Sequence, residues 1–524
     1  MSPTNACSLL ECPLADFRSE CLRIRNQCAQ GPEYQFHFAT SAASEIKSRL
    51  DQLSHVRPLT DQNASAILMG LQTLSNMVTN NPETQLRLLP LWLESAEKSE
   101  DPSLRRYMLL GNPRIKEVSA ILLISMVARN TQACQQLFTH PTGTDILRTL
   151  LDYSADHYTN DENLVFDITF SLIKEIATSG IALEVYYQLA DLRLSDLPPA
   201  LPLSTHNVTF LKLVDAAVYR ETVGQEGANL SGDTASNSQP PSTPSATVAA
   251  STLLTSLTTF TVHEVTLWAR VLLTPAESPT DGNDTLDGPQ VPPTLATLGR
   301  QLLAALETPG SIDSAAPPSL PTVSDDSSPT ASAHPAAQRP ISLDWMVSFY
   351  TGLVLLLQAL KHITQYCRDT GLAEDDQQRA LLKRTTEMLA LLDAKLPRIS
   401  KIDQSPGQIM DVDHAAKQFA FIKRDLIAIL GNLCHENTSL QNYARELGAV
   451  DLVLNHCNID ENNPYIKEYA ILALKYLLQG NPANQDLIRS LQPQQTVPHA
   501  DLESLGISTK LDSNQRVTCQ VPKP

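Results

Sequence analysis

The chain is poor in aromatic residues, which fill 5% of its 524 positions, and it holds only 19 glycines against 35 prolines. That shortage excludes an aromatic-rich β-sandwich and suits helical layers joined at proline-marked boundaries. Basic charge is scarce too. Against 57 Asp and Glu there are 39 Lys and Arg, a formal net charge of −18, and no Lys/Arg run exceeds a pair. A general binder of phosphate backbones needs a basic face, so no nucleic-acid partner is expected. The nine cysteines (Cys7, Cys12, Cys21, Cys28, Cys134, Cys367, Cys434, Cys457 and Cys519) are odd in number and widely spread. They fit reduced thiols better than a disulfide framework. The opening stretch MSPTNACSLLECPLADF has no basic segment followed by an apolar core, so no secretory leader is expected.

Long hydrophobic runs are nearly absent. The exception, Trp345 to Leu360 (WMVSFYTGLVLLLQAL), is interrupted by Ser348 and Gln358. A span needs roughly 20 apolar residues, so a buried helix and no membrane insertion are expected. Catalytic signatures are missing as well. His263-Glu264 and His435-Glu436 both lack the second His four residues on that a zincin helix requires. There is no GxSxG, GxxxxGK[ST] or GxGxxG, and no carboxylate pair stands out. Neither an enzyme nor a cofactor is expected.

What is present is a repeat. IKRDLIAILGNLCHENTSLQNYAREL (422–447) aligns with IKEYAILALKYLLQGNPANQDLIRSL (466–491) at an offset of 44. Identities include Ile422/Ile466, Lys423/Lys467, Ile427/Ile471, Leu430/Leu474, Leu433/Leu477, Asn437/Asn481, Gln441/Gln485 and Arg445/Arg489. The apolar matches recur at helical spacing. Asn481-Pro482 reads as an N-cap followed by proline at the first helical position, where a missing N–H costs nothing. The same phrase returns at Leu74, Met77, Asn81, Pro82 and Gln85. It returns again at Leu123, Met126 and Asn130, with Cys134 where the Gln is expected, and more weakly at Phe170, Ile173, Ile176 and Gly180. A helical period of 44–49 residues points to an armadillo or HEAT-type array. Thr438–Leu447, Ala449–Cys457 and a long helix from Pro464 to about Gln479, capped by Asn463, make three helices per unit, which favours armadillo. The predicted fold is all-α, an armadillo-like helical-repeat superhelix with long disordered inserts.

Residues 1–57 read as an irregular helical segment and 58–220 as N-terminal armadillo-like repeats. Residues 221–341 are a Ser/Thr/Pro-rich, largely disordered insert with short helices expected at about Ser251–Leu273 and Thr294–Leu306. Residues 342–491 hold the C-terminal repeats, and 492–524 form a flexible tail. In GNLCHENTSLQNYARELGAVDLVLNHC (431–457) the Cys-His and His-Cys pairs invite a metal reading. Zinc ligands usually sit two to four residues apart, whereas adjacent helical side chains diverge by about 100°. Cys434 aligns with Leu478, Val78 and Val127, and Cys457 continues a stripe of Val450, Val453 and Leu454. Buried thiols are therefore expected, and no metal site. In an armadillo stack the third helices line the concave side. The residue before Leu433 and its counterparts, namely Asn432, Tyr476, Asn76 and Ser125, should face that groove, with Lys467 and Lys475 nearby as partner-binding residues.

Phe421–Leu491 closely resembles the C-terminal domain of the ataxin-10 family, most specifically at LGNLC (430–434), RELG (445–448) and CNIDENNPYIKEYAI (457–471). The domain would cover about 415–491. The resemblance implies a cytoplasmic, non-enzymatic armadillo scaffold or adaptor. Its partners would be other proteins bound through the concave helical surface, in cytokinesis or cell-division and survival signalling, with self-association as a further expectation. Fungal relatives also carry a copper-transport label, so the alternative is a copper-homeostasis or metal-responsive protein.

Overall fold

The computed structural model describes residues 8–93, 103–156, 163–192, 204–230, 244–273, 343–370, 375–396, 398, 420–491, 507–512 and 517–520. The expected helix at Thr294–Leu306 and most of the Ser/Thr/Pro tracts lie outside them. The described residues up to Tyr366 form one compact unit and those from Cys367 another.

The first unit opens with α1 (Leu14–Cys28), α2 (Pro32–Ser41), α3 (Ala43–His55) and α4 (Asp61–Val78). It continues with α5 (Pro82–Leu88), α6 (Pro90–Leu93), α7 (Ser103–Met108), α8 (Pro113–Val127), α9 (Thr131–Phe138), α10 (Pro141–Asp156) and α11 (Leu164–Thr178). It closes with α12 (Ala182–Gln188), α13 (Thr205–Leu230), α14 (Pro244–Leu273) and most of α15 (Leu343–Thr370). The long helices α1, α4, α8, α11 and α14 pack each on the next, and α3, α7, α10 and α13 form a second row. Each repeat therefore runs first helix, second helix, third helix, as the periodicity predicts.

Local chemistry sets the joints. Asn81, Asn130, Asn437 and Asn481 each cap the next helix by accepting the N–H three residues on, satisfying a donor with no partner inside the helix. Just before each cap the chain turns left-handed, at Asn80, Arg129, Glu436 and Gly480, which stops the third helix. The segment expected to be irregular belongs to the same scheme. Gly31 takes the cap position before Pro32, and Gln35 stands where Gln85 stands one repeat later.

The apolar run at Trp345 is held inside this unit. Val347–Tyr366 is long and apolar enough to cross a membrane by length and composition, with half of it buried. Phe349 stacks on Trp268 at 5.1 Å, and Gly352 lies under the same indole, where a Cβ would come within 2.4 Å. Trp268 in turn donates to Glu264, a fully buried carboxyl that also accepts from the Tyr187 hydroxyl.

The second unit contains α16 (Asp375–Lys395), α17 (Ile422–Cys434), α18 (Thr438–Glu446), α19 (Ala449–Asn455), α20 (Ile466–Leu478) and α21 (Pro482–Ser490). Gly448, with φ 74°, makes the left-handed turn between α18 and α19. Asn463 does not cap α20. The helix starts at Ile466 after a left-handed Tyr465, and the Asn463 amide turns back to Asp460 Oδ2 at 2.9 Å. Within residues 492–524, expected as a flexible tail, β1 (Ser508–Leu511) pairs antiparallel with β2 (Val517–Gln520).

Candidate functional site

Glutamines of the first helices clamp the ends of the third helices, and these ties position the predicted groove residues. Gln35 Nε2 donates to the carbonyls of Asn76 and Thr79 at 2.8 and 3.1 Å. Gln85 donates to those of Ser125 and Ala128 at 2.8 and 3.2 Å. Gln441 donates to those of Tyr476 and Gln479 at 2.8 and 3.1 Å. Each thus satisfies carbonyls left over at the end of its own repeat's third helix. The return bond comes from the next repeat's cap: Asn81 donates to Gln35 Oε1 and Asn130 to Gln85 Oε1. Where Cys134 displaces the expected Gln, Gln135 does the work one residue later and reaches Ser179 O at 3.0 Å.

Asn76, Ser125 and Tyr476 therefore have their backbones fixed while their side chains stay half-buried. Ser125 Oγ meets Ser75 Oγ at 3.2 Å. In the second unit α17 and α20 approach closely because Gly431 has no side chain; a Cβ there would lie 3.0 Å from Ala473 Cα. Tyr476 meets His435 edge-on at 4.6 Å, so Asn432, His435 and Tyr476 mark one polar and aromatic ridge. The repeat comparison did not single out His435, because its partner is formed only when two third helices meet.

The residues expected to act together fall into separate places. Asn76 and Ser125 belong to the first unit, Asn432 and Tyr476 to the second. Lys467 and Lys475 are exposed on α20. Nine residues separate Lys467 from Tyr476, which is half a turn around a helix. The two lysines accordingly share a face with Ile471 rather than with Tyr476.

The Cys-His pairs are also dispersed. Cys434 is fully buried, and burial pushes its thiol up to about 12. Cys457 is only half-buried, short of the buried stripe expected for it, and leans on Val453 O. His456 is buried with Nε2 3.2 Å from Asp393 Oδ1, close enough for an ion pair but not aligned as a hydrogen bond. Asp393 also pairs with the buried Lys423 at 3.3 Å. Among the described residues no group of three or more His, Cys, Asp or Glu is placed to hold a metal ion. Because the thiolate is the reactive form, iodoacetamide should label the exposed Cys519 in native protein. Cys434, and Cys21 and Cys134, whose thiols burial likewise pushes up to about 12, should react only after denaturation. Peptide mapping by mass spectrometry would show it, and native labelling of Cys434 would contradict this burial.

Comparison with known proteins places residues 422–520 under the family described as the spinocerebellar ataxia type 10 protein domain. An ataxin-10 homolog from Dictyostelium discoideum is 41% identical over 102 residues, 19% of this chain and 17% of that protein. Ataxin-10 from Homo sapiens is 29% identical over 150 residues, 28% of this chain and 31% of the human one. Matches of this kind span less than two thirds of the relatives' own length. A solved chain from work on the interaction between cadherin and beta-catenin aligns over 89% of this chain and 88% of its own, with 12% identity and a TM-score of 0.25. That score is too low to bear on the fold, which rests on the repeats themselves.

Proposed function

Residues 422–520 carry the domain of the ataxin-10 family, and on that premise we propose that the protein is a non-enzymatic scaffold that binds other proteins through its stacked third helices. The observation that carries the reading is the ridge of Asn432, His435 and Tyr476. The Tyr476 backbone is held by Gln441, yet the ridge's amide and ring edges stay within reach of solvent. A preorganised ridge loses little freedom on binding, and aromatic anchors of this kind dominate the energy of protein interfaces. The cytoplasm, and a role in cytokinesis or cell-division and survival signalling, are the setting we assign from the family likeness. Self-association belongs to the same proposal.

The test is a comparison of the full-length protein with its Asn432→Ala, Tyr476→Ala double variant by quantitative affinity capture. At least one bound protein should fall about tenfold or more, the effect of losing a residue worth over 1.4 kcal/mol at an interface, with thermal unfolding little changed. A folded double variant that keeps every partner at parental level would sink the proposal.

A further inference from the structure

The repeat register identifies a seat that the described residues do not fill. On α17 the positions Ile427, Ala428, Gly431 and Cys434 are buried, and α20 lies on them, closest at Gly431. Forty-four residues on, their counterparts on α20 are Ile471, Leu472, Lys475 and Leu478. Ile471 is 52% and Leu472 40% exposed, Lys475 is exposed and Leu478 half-exposed. A terminal repeat is expected to turn a polar outer face to water, and this one is largely apolar. The chain begins another repeat: α21 (Pro482–Ser490) is the counterpart of α18 (Thr438–Glu446). The same offset would put its third helix at 510–522, but Ser508–Leu511 and Val517–Gln520 are strands there.

The polar groups that receive a third helix are present as well. Gln441 reaches the end of α20 through Tyr476 O and Gln479 O and also holds Cys434 O at the end of the preceding third helix. Its counterpart Gln485 keeps the backward bond, to Leu478 O at 2.8 Å, and makes no onward bond among the described residues. Phe421 N–H, at the left-handed start of α17, donates to Asn462 O in the loop before α20 at 3.1 Å. The Tyr465 N–H, at the left-handed start of α20, has no acceptor among the described residues. Beside it lies a cleft of ≈ 350 Å³ lined by Ile459, Asp460, Asn463, Tyr465, Lys467 and Glu468. Asn463 is 3% exposed, and its Oδ1 is buried there without a hydrogen-bond partner.

We propose that this face takes a single amphipathic helix from another protein, seated as α20 sits on α17 and standing in for a third helix that the described residues do not supply. Its apolar stripe covers Ile471, Leu472 and Leu478, as helices commonly lie in apolar grooves. Its last carbonyls meet the Gln485 amide, and the chain leading into it offers a carbonyl to the Tyr465 N–H. Charge narrows its chemistry further. A Cβ at Gly431 would contact Ala473 and Tyr476, so the residue in the Tyr476 place of the incoming helix meets Lys475, and an acidic side chain fits there. This face adjoins the Asn432–Tyr476 ridge at Leu472, one turn before Tyr476, but shares none of its residues, and the proposal stands whether or not that ridge binds a partner.

The probe is a labelled 15-residue peptide copied from Tyr465–Gln479, with Tyr476→Glu for Lys475 and Ile471→Gln and Leu472→Gln for solubility. Fluorescence anisotropy with the full-length protein should show saturable binding. Lys475→Glu in the protein should weaken it about tenfold, and a peptide carrying Tyr476→Lys should restore it. Ile471→Asp should abolish binding. Both protein changes are at exposed positions, so unchanged circular dichroism and melting are expected. No binding, as when residues 492–524 already cover the face, overturns the proposal, and so does binding indifferent to Ile471→Asp and Lys475→Glu. Sedimentation showing self-association that Ile471→Asp abolishes would also overturn it, because a second copy would then be the occupant.

Discussion

Gly143→Ala is expected to cost about 3 kcal/mol, the upper range for forcing a methyl into a packed interior. A Cβ at this position would fall 2.0 Å from Leu137 O and 2.7 Å from Leu137 C. Both atoms are backbone, so no side chain can swing aside to relieve the clash. The segment is also pinned, since Gly143 N–H donates to His140 O at 3.0 Å within the turn from α9 to α10. Relief therefore requires moving one helix against the other. Gly180→Ala provides the comparison: it has open space around it and only a φ of +76° to overcome, a backbone cost of about 1–2 kcal/mol. Urea unfolding of both variants measures the difference. If Gly143→Ala is no worse than Gly180→Ala, the close passage of α10 over Leu137 is wrong.

Gln441→Leu is the second. Gln441 is fully buried and holds three carbonyls, those of Cys434, Tyr476 and Gln479. Each loses its donor in the variant, at about 1 kcal/mol apiece. Its Oε1 has no partner among the described residues, and removing that atom returns about 1 kcal/mol by the same reasoning. A net loss of about 2 kcal/mol is expected. Gln485→Leu, at the same repeat position but donating only to Leu478 O among the described residues, should cost less than about 1 kcal/mol. Equal losses in the two variants would show that the onward bonds carry no weight.

How far these features can be read from residues alone depends on how local their causes are. Asparagine caps are a short-range code, and Asn81, Asn437 and Asn481 follow it in both sequence and structure, with proline next in line at Asn81 and Asn481. Gln35 escaped because glycine replaces asparagine at its cap, and Gln135 because one added residue moved it out of register. The sequence pattern starts α20 at Pro464, whereas the helix begins at Ile466. That junction resembles the start of α17, where the left-handed Phe421 donates to Asn462 O of the neighbouring repeat, a contact no local pattern contains. The candidate ridge was half legible. Asn432 and Tyr476 follow from the repeat, but His435 joins them only through packing. The opposite placement of Lys467 comes from simple helical geometry, which proximity in sequence obscures.

The glutamine ties have a direction. A third helix and the first helix that follows it form one layer. The first helix of a layer reaches forward to the end of the next layer's third helix, and at Asn81, Asn130 and Asn481 the cap in that next layer reaches back. Removing a layer from the C-terminal side exposes a donor that water can satisfy. Removing one from the N-terminal side strips the restraint from the end of the helix behind it. Within each compact unit, unzipping is thus not symmetric: melting that starts at the front loosens the next layer, while fraying at the back leaves its neighbour clamped.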